Sequence, residues 1–114
     1  MPINAREILA KYDMDDISCD SDRHDEVEAK WADHVPKQWY GYALGGCPTT
    51  WANVIDDFLT QLKEIDPNFE IHQIKQKFGG LRLYLSYDAP EHRSHINKQI
   101  LILEHVLFHE SMVP

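Results

Sequence analysis

The sequence contains few cysteines and no long apolar run. Its 114 residues include two cysteines, Cys19 and Cys47, too few for the disulfide scaffold of a small secreted domain. The longest apolar stretch, residues 100–103, is far shorter than the ~20 residues of a membrane-spanning helix. The N-terminal residues lack the basic and apolar regions of a signal peptide. We therefore expect a cytoplasmic protein with reduced thiols and no membrane partner; a single disulfide is the alternative.

Basic residues are also scarce. The chain has 11 Lys and Arg against 19 Asp and Glu, and a net charge of −8. Because Lys and Arg drive binding to phosphates, we expect no direct nucleic-acid partner. Residues 13–28 hold eight acids and one base, Arg23, whereas the other residues hold ten bases and eleven acids. This acidic segment favours a basic protein as partner; the alternative is a solvated loop that only aids solubility.

No assembled catalytic or metal-binding motif occurs in the sequence. His105 and His109 are spaced to share a helix face, but there is no His-Glu-x-x-His motif and no zinc-finger cysteine pair. Cys47 precedes a predicted helix N-terminus, where a thiolate could be stabilised, yet no nucleophile motif surrounds it. Aspartates from Asp13 onward do not fit an EF-hand loop, since Ser18 occupies the glycine position. We expect neither an enzyme nor a bound metal or cofactor.

What the chain does contain is a strongly patterned β-hairpin within residues 71–87. Gly79 and Gly80 separate two β-rich runs, and glycine accepts the positive φ of a two-residue turn. A turn at these glycines pairs Phe78 with Leu81 and gathers the apolar side chains on one face. That predicted face consists of Ile74, Phe78, Leu81, Leu83, Leu85 and Tyr87. The other face then carries cations, namely Lys75, Lys77 and Arg82.

The clearest helix signal lies in residues 51–65, where apolar residues recur at i, i+3, i+4 and i+7. Thr49 or Thr50 is expected to cap this helix. Pro67 is expected to end it, because the residue before a proline avoids the α region. A final helix is predicted from about Glu91. Its predicted buried stripe comprises Ile96, Ile100, Leu103 and Leu107, widened by Leu101, Ile102 and Phe108.

Two further helices are predicted in the N-terminal third of the chain. The first covers residues 4–12 and is capped by Asn4, and Asp22 caps a second that extends to about His34. A loop rich in glycine and aromatic residues follows at 38–48. The order helix, helix, long helix, hairpin, helix predicts an α+β fold with helices packed on one face of a small antiparallel sheet. We expect all 114 residues to form one domain.

The hairpin resembles a motif found in small bacterial and phage proteins. Residues 75–84 read KQKFGGLRLY, close to the KEKFGGLRFY of those proteins, which also place an amphipathic helix just upstream. The resemblance covers about residues 38–88 and implies the fold. Some relatives continue into a cysteine-rich zinc-binding tail, which this chain does not have, so zinc is not implied. More loosely, a short acidic α+β chain resembles the immunity proteins of contact-dependent toxin systems, which implies a basic, nuclease-type toxin as partner.

These observations predict a non-enzymatic binding protein, an immunity protein that neutralises a cognate toxin through its acidic segment. Carboxylates would steer the toxin toward the protein, and nearby aromatic side chains would anchor the bound complex. The predicted contact residues are Asp13, Asp15, Asp16, Asp20, Asp22, Asp25, Glu26, Glu28, Trp31, Trp39 and Tyr40. The alternative is a phage or prophage accessory protein that binds a host factor through the basic face of the hairpin.

Overall fold

The computed structural model describes residues 3–36 and 48–108. In chain order, its elements are α1 (Ala5–Leu9), α2 (Ser21–Lys30), a 3₁₀ helix (Ala32–His34), α3 (Thr49–Ile65), β1 (Glu70–Lys77), β2 (Gly80–Ser86) and α4 (Arg93–Val106). The helices pack on the antiparallel pair β1–β2, which confirms the predicted α+β class. Within the described ranges, no helix combines the length and the apolar character that crossing a bilayer requires.

The helix α3 forms the centre of the core. Six of the seven apolar residues predicted from the 3.6-residue period are at most 3% exposed, and the seventh, Ile65 at the end of the helix, is half-buried. The buried members include Trp51, Val54, Ile55, Phe58, Leu59 and Leu62. Burying each of these large side chains contributes roughly 1.5–3 kcal/mol. Both α1 and α2 pack against this helix, and α1 also contacts α4, so α3 organises the other helices.

The helix starts agree only in part with the sequence predictions. Asn4 caps α1 as predicted, because its Oδ1 accepts a hydrogen bond from the Glu7 amide at 3.1 Å. Asp20, not Asp22, caps α2: its extended backbone lets Oδ1 accept from the Asp22 amide at 3.0 Å. The predicted threonine cap of α3 is also wrong. Pro48 occupies that position, and the Thr49 hydroxyl accepts from the Asp20 amide instead.

The hairpin exists, but its turn lies one residue earlier than predicted. Lys77 pairs with Gly80, so Phe78 and Gly79 are the two turn residues. Their φ angles are 54° and 83°, and positive values at both positions are typical of a type I′ turn. Gly80 is therefore a residue of β2, and Phe78 lies at the tip with 61% of its surface exposed instead of in the core.

Moving the turn changes the register by two residues but preserves the faces. Gln76 opposes Leu81 and Ile74 opposes Leu83, whereas a turn that pairs Phe78 with Leu81 would place Gln76 opposite Leu83. Because side chains alternate with a period of two, a two-residue shift keeps the paired strand residues on their predicted faces, and the exception is Phe78, which has moved into the turn. Leu81 and Leu83 thus remain buried, at 0% and 3% exposure.

A β-bulge at His72 interrupts the ladder. Ile71 opposes Leu85 and Gln73 opposes Tyr84, which leaves His72 as the extra residue of β1. The predicted register, extended from the pair Phe78 and Leu81, would place His72 opposite Tyr87, and this pair does not form. The extra residue resets the alternation, so Ile71 and Ile74 are both 0% exposed although they are three positions apart.

The final helix starts at Arg93, two residues later than predicted, and buries a narrower stripe. Ile96, Leu103 and Leu107 are at most 1% exposed, but Leu101 and Phe108 are 64% and 51% exposed. The prediction that these two residues widen the stripe is therefore wrong. Their exposed side chains leave apolar area on the outside of α4.

Polar groups of α4 make two links to the rest of the fold that the periodicity did not indicate. Buried Gln99 accepts a hydrogen bond from the Ala5 amide through Oε1 at 2.8 Å. Near its other end, Glu104 accepts from the Leu83 amide at 2.9 Å, and the Leu107 carbonyl accepts from the Leu81 amide at 2.9 Å. The helix thus satisfies backbone donors of both α1 and β2.

Candidate protein-binding surface

The acidic segment exposes nearly all of its carboxylates. We define the acidic surface as the eight carboxylates of residues 13–28, which lie on the connection between α1 and α2 and on α2 itself. Seven of these residues are exposed and Glu28 is half-buried. The members are Asp13, Asp15, Asp16, Asp20, Asp22, Asp25, Glu26 and Glu28. The structure therefore places the predicted acidic contact residues where a partner could reach them.

Hydrogen bonds within the segment hold its backbone in place. Asp13 Oδ1 accepts from the Asp15 amide at 3.0 Å, and Asp16 Oδ1 accepts from the Ser18 amide at 2.9 Å. Such turns are the local structures that aspartate favours. Hydrogen bonds from Ser18 also hold the pKa of Asp16 below its ordinary value. The acidic surface is thus a preformed set of charged groups.

The one base of the segment is directed mainly toward α3. Arg23 donates through Nη2 to Asp56 at 3.1 Å and through Nε to Asn53 at 2.7 Å, both on α3. Its Nη1 donates to Glu26 at 2.8 Å. Most hydrogen bonds of the guanidinium go to α3. The neighbouring carboxylates therefore keep most of their negative potential.

Asp56 collects the polar contacts that attach α2 to α3. Besides Arg23, it accepts hydrogen bonds from Trp31 Nε1 at 2.9 Å and from Lys30 Nζ at 2.8 Å. Partial burial acts to raise the pKa of Asp56, but the hydrogen bonds from Lys30, Trp31 and Arg23 outweigh it and leave that pKa below its ordinary value. A single carboxylate therefore orients the helix that carries half of the acidic surface.

Trp31 is the one predicted aromatic anchor within the described residues, and it does not lie on the surface. Trp31 is 2% exposed, and its ring lies 5.5 Å from His34 and 5.7 Å from Phe69. It belongs to the core, so the prediction that Trp31 is a surface anchor is corrected. Its helical spacing from buried Val27 was a sequence signal for this position. Trp39 and Tyr40 lie outside the described residues.

A second candidate surface lies on the hairpin. We define the hairpin surface as Lys75, Lys77, Phe78, Arg82 and Tyr84. Lys75 opposes Arg82 across the strands, and Lys77 Nζ lies 5.6 Å from the Phe78 ring centre. Phe78 and Tyr84 are 61% and 46% exposed. This surface combines cations with exposed rings, the reverse of the acidic surface.

The described residues provide no assembled site for a metal ion. Among residues 3–36 and 48–108, no three His, Cys, Asp or Glu side chains are close enough together to hold one. His105 is exposed on α4, and its predicted helical neighbour His109 lies outside these ranges, as does Cys47.

An open groove of about 530 Å³ between β2 and α4 is lined mainly by apolar and aromatic side chains, including Leu83, Tyr87 and Leu101.

Comparisons of the chain with protein-family models, with curated proteins and with solved structures each give no match. The resemblance of residues 75–84 to bacterial and phage hairpins therefore stays a prediction. Function has to be argued from the two surfaces and from the side chains that orient them.

Proposed function

We propose that this chain is a non-enzymatic binding protein, an immunity protein that neutralises a basic bacterial toxin by direct contact with the acidic surface. The observation that supports it is the direction of Arg23. Its bonds to Asp56 and Asn53 draw the one base of the segment toward α3. Glu26 also bonds to Arg23, and the other six exposed carboxylates form a concentrated negative field.

Such a field acts mainly on the rate at which the two proteins associate. Complementary charges steer diffusion and can raise association rates by about 10–10³-fold. They also select the partner, because like charges brought together cost several kcal/mol. A nuclease-type toxin fits this chemistry, since its own substrate site must carry Lys and Arg for phosphates. Trp39 and Tyr40 stay the predicted anchors of the bound state.

The test uses the purified product of a toxin gene adjacent to that of this chain. Association is measured by stopped flow while salt rises from about 0.05 to 0.5 M, where the screening length falls from above 10 Å to about 4 Å. We expect association to slow by tenfold or more, and dissociation to change much less. A rate that is indifferent to salt would contradict the proposal.

A matched pair of variants separates local charge from net charge. One combines Asp15→Asn, Asp22→Asn and Asp25→Asn, which are exposed positions that leave the Asp20 cap intact. The control combines the exposed positions Glu7→Gln, Glu64→Gln and Glu91→Gln elsewhere on the molecule. We expect the first triple to slow association about tenfold at low salt and the control to change it less than twofold. Equal effects would refute a localised surface.

The hairpin surface supports the second candidate, an accessory protein that binds a host factor. The observation in its favour is Phe78, an exposed ring held at φ 54°, which is an unfavourable backbone conformation for a bulky residue. Charge reversal at Lys75, Lys77 and Arg82 discriminates between the candidates. Loss of binding in that variant, with normal binding in the acidic triple, would establish the hairpin surface and reject the first candidate.

A further inference from the structure

Most of the large apolar side chains that the described residues expose lie beside the hairpin. Phe78, Tyr84, Leu101 and Phe108 are between 46% and 64% exposed. The Phe108 ring borders Gly80, because a Cβ added there would meet its Cδ2 at 3.6 Å. Leu101 and Tyr84 line the same groove between β2 and α4. We define the docking face as the hairpin surface together with Leu101 and Phe108.

The docking face also carries three cations, and none of them is in an ion pair within the described residues. Lys75 opposes Arg82 across the strands, and Lys77 opposes Gly80. Directly opposed residues share a face of the sheet, as do residues two apart, so all three cations lie on one side. Covering them with an apolar partner would cost free energy. The partner therefore has to bring both carboxylates and apolar groups.

The acidic surface of the same chain surrounds an exposed apolar side chain. Ile17 is 48% exposed, and it is the one large apolar side chain exposed within residues 13–28. Its neighbours in the chain include Asp13, Asp15, Asp16 and Asp20, which are all exposed. Since the cations of the docking face form no ion pair with these carboxylates inside one chain, the two surfaces are free to meet between copies.

We propose that this chain self-associates head to tail, with Ile17 and the surrounding aspartates of one copy seated on the docking face of the next. Ile17 enters the apolar groove, and the carboxylates meet the three cations. The contact is heterologous, because each copy contributes a different surface. A symmetric pairing of two docking faces is disfavoured, since it would bring cations against cations.

The net charge of −8 does not prevent this contact. At about 0.15 M salt the screening length is about 8 Å, so charges far from the interface repel weakly while opposite charges within it are in contact. A small interface of this kind gives weak, transient association. Because every copy keeps one surface of each kind, the assembly either extends or closes into a ring.

The natural chain is tested first, by sedimentation equilibrium with a reductant present so that disulfides do not contribute. We expect the weight-average mass to at least double between micromolar and millimolar protein at about 0.15 M salt, and to fall again at about 0.5 M. A mass that stays at that of one copy over the whole range would overturn the proposal.

Two variants each remove one half of the interface. The first combines Asp15→Asn and Ile17→Ser, and the second combines Lys75→Glu, Lys77→Glu and Leu101→Ser. Alone, each should lower the association constant at least about tenfold. Mixed in equal amounts, they should form a dimer and nothing larger, because the first keeps its docking face and the second keeps its acidic surface. A mixture of folded variants that stays monomeric would overturn the proposal.

The control variant with Glu7→Gln, Glu64→Gln and Glu91→Gln should associate like the natural chain, and an equal loss there would refute a local contact. A last measurement rests on the proposed function. Since the toxin and a neighbouring copy meet the same carboxylates, added toxin should break the assembly into one-to-one complexes. Assembly that persists while toxin binds would contradict the toxin's contact with the acidic surface and support self-association. A chain that binds toxin but never self-associates would overturn the self-association alone.

Discussion

The helix α2 and the hairpin lie on the same core but are attached to it by different interactions. The helix is held largely by side chains, since Arg23, Lys30 and Trp31 all converge on Asp56. The hairpin is held by its apolar face and by backbone bonds to α4, including the bond from Leu81 to the Leu107 carbonyl. The polar contacts of α2 converge on a single carboxylate, beside the buried side chains of Val27 and Trp31, whereas those of the hairpin are distributed over several groups.

This difference shows where each surface is vulnerable. The orientation of the acidic surface depends on one residue of α3, outside the surface itself. The hairpin surface depends on its own turn, where Phe78 and Gly79 adopt positive φ. A substitution that damages one attachment should therefore leave the other intact, which variants can check.

Asp56→Ala should have the largest effect on stability. It removes the acceptor of the buried Trp31 N–H and leaves Arg23 and Lys30 without their shared partner. We expect a loss of about 2–4 kcal/mol, measured by urea unfolding. Asp57→Ala is the neighbouring control, because its partners are the largely exposed Lys11 and the half-buried Tyr12 hydroxyl, and it should cost less. Equal losses would show that α2 does not depend on Asp56.

Gly79→Ala should have the next largest effect and should act on the hairpin alone. A side chain at φ 83° is strained, and we expect a loss of about 1–2 kcal/mol. Gly80→Ala is the matched control, since its new Cβ would meet Phe108 at 3.6 Å, an ordinary contact, and should cost under about 0.5 kcal/mol. If Gly80→Ala lowered the urea midpoint more than Gly79→Ala, the assignment of the turn to Phe78 and Gly79 would be wrong.

Acid should weaken the α2 attachment before it affects the turn. The pKa of Asp56 is lower in the folded protein than its ordinary value of 3.8. Its contribution to stability is therefore complete above that value and is lost as pH falls through the lower folded pKa. Urea midpoints from pH 6 to pH 2 should fall less steeply for Asp56→Asn than for the natural chain. Parallel curves would contradict this assignment.

Phe78→Asn should have the smallest effect, and in the opposite direction. Asparagine tolerates the left-handed conformation that Phe78 adopts, and it is a preferred residue of type I′ turns. We expect a gain of about 0.5–1 kcal/mol. If the same variant lost binding to a partner, the strained ring would be retained for recognition. A loss of stability would show instead that the exposed ring supports the fold.

The sequence predicted those features that depend on periodicity. The stripe of α3 and the two faces of the hairpin follow from spacings of 3.6 and 2 residues. Both are confirmed except at Ile65, which is half-buried, and at Phe78, which is exposed in the turn. The turn position did not follow, because adjacent Gly79 and Gly80 offered two placements and the true one puts a phenylalanine at positive φ. The bulge at His72 has no local signal of this kind.

The candidate site was predictable in composition but not in orientation. The eight acids are visible in the sequence, whereas the direction of Arg23 depends on Asp56, which is 33 residues away along the chain. Asp56 itself resembles any acid on the polar side of a helix.

The links from α4 to the N-terminal residues have a consequence for the order of folding. The Ala5 amide bonds to Gln99, 94 residues later, and the Ile3 carbonyl accepts from His95 Nε2. At a synthesis rate of ~5–20 residues per second, roughly 5–20 s pass between the synthesis of α1 and the synthesis of these partners. Contacts of such long sequence separation also slow folding through loop-closure entropy. During synthesis, α1 therefore depends on provisional contacts with α3, and its amide remains hydrated until the last helix emerges.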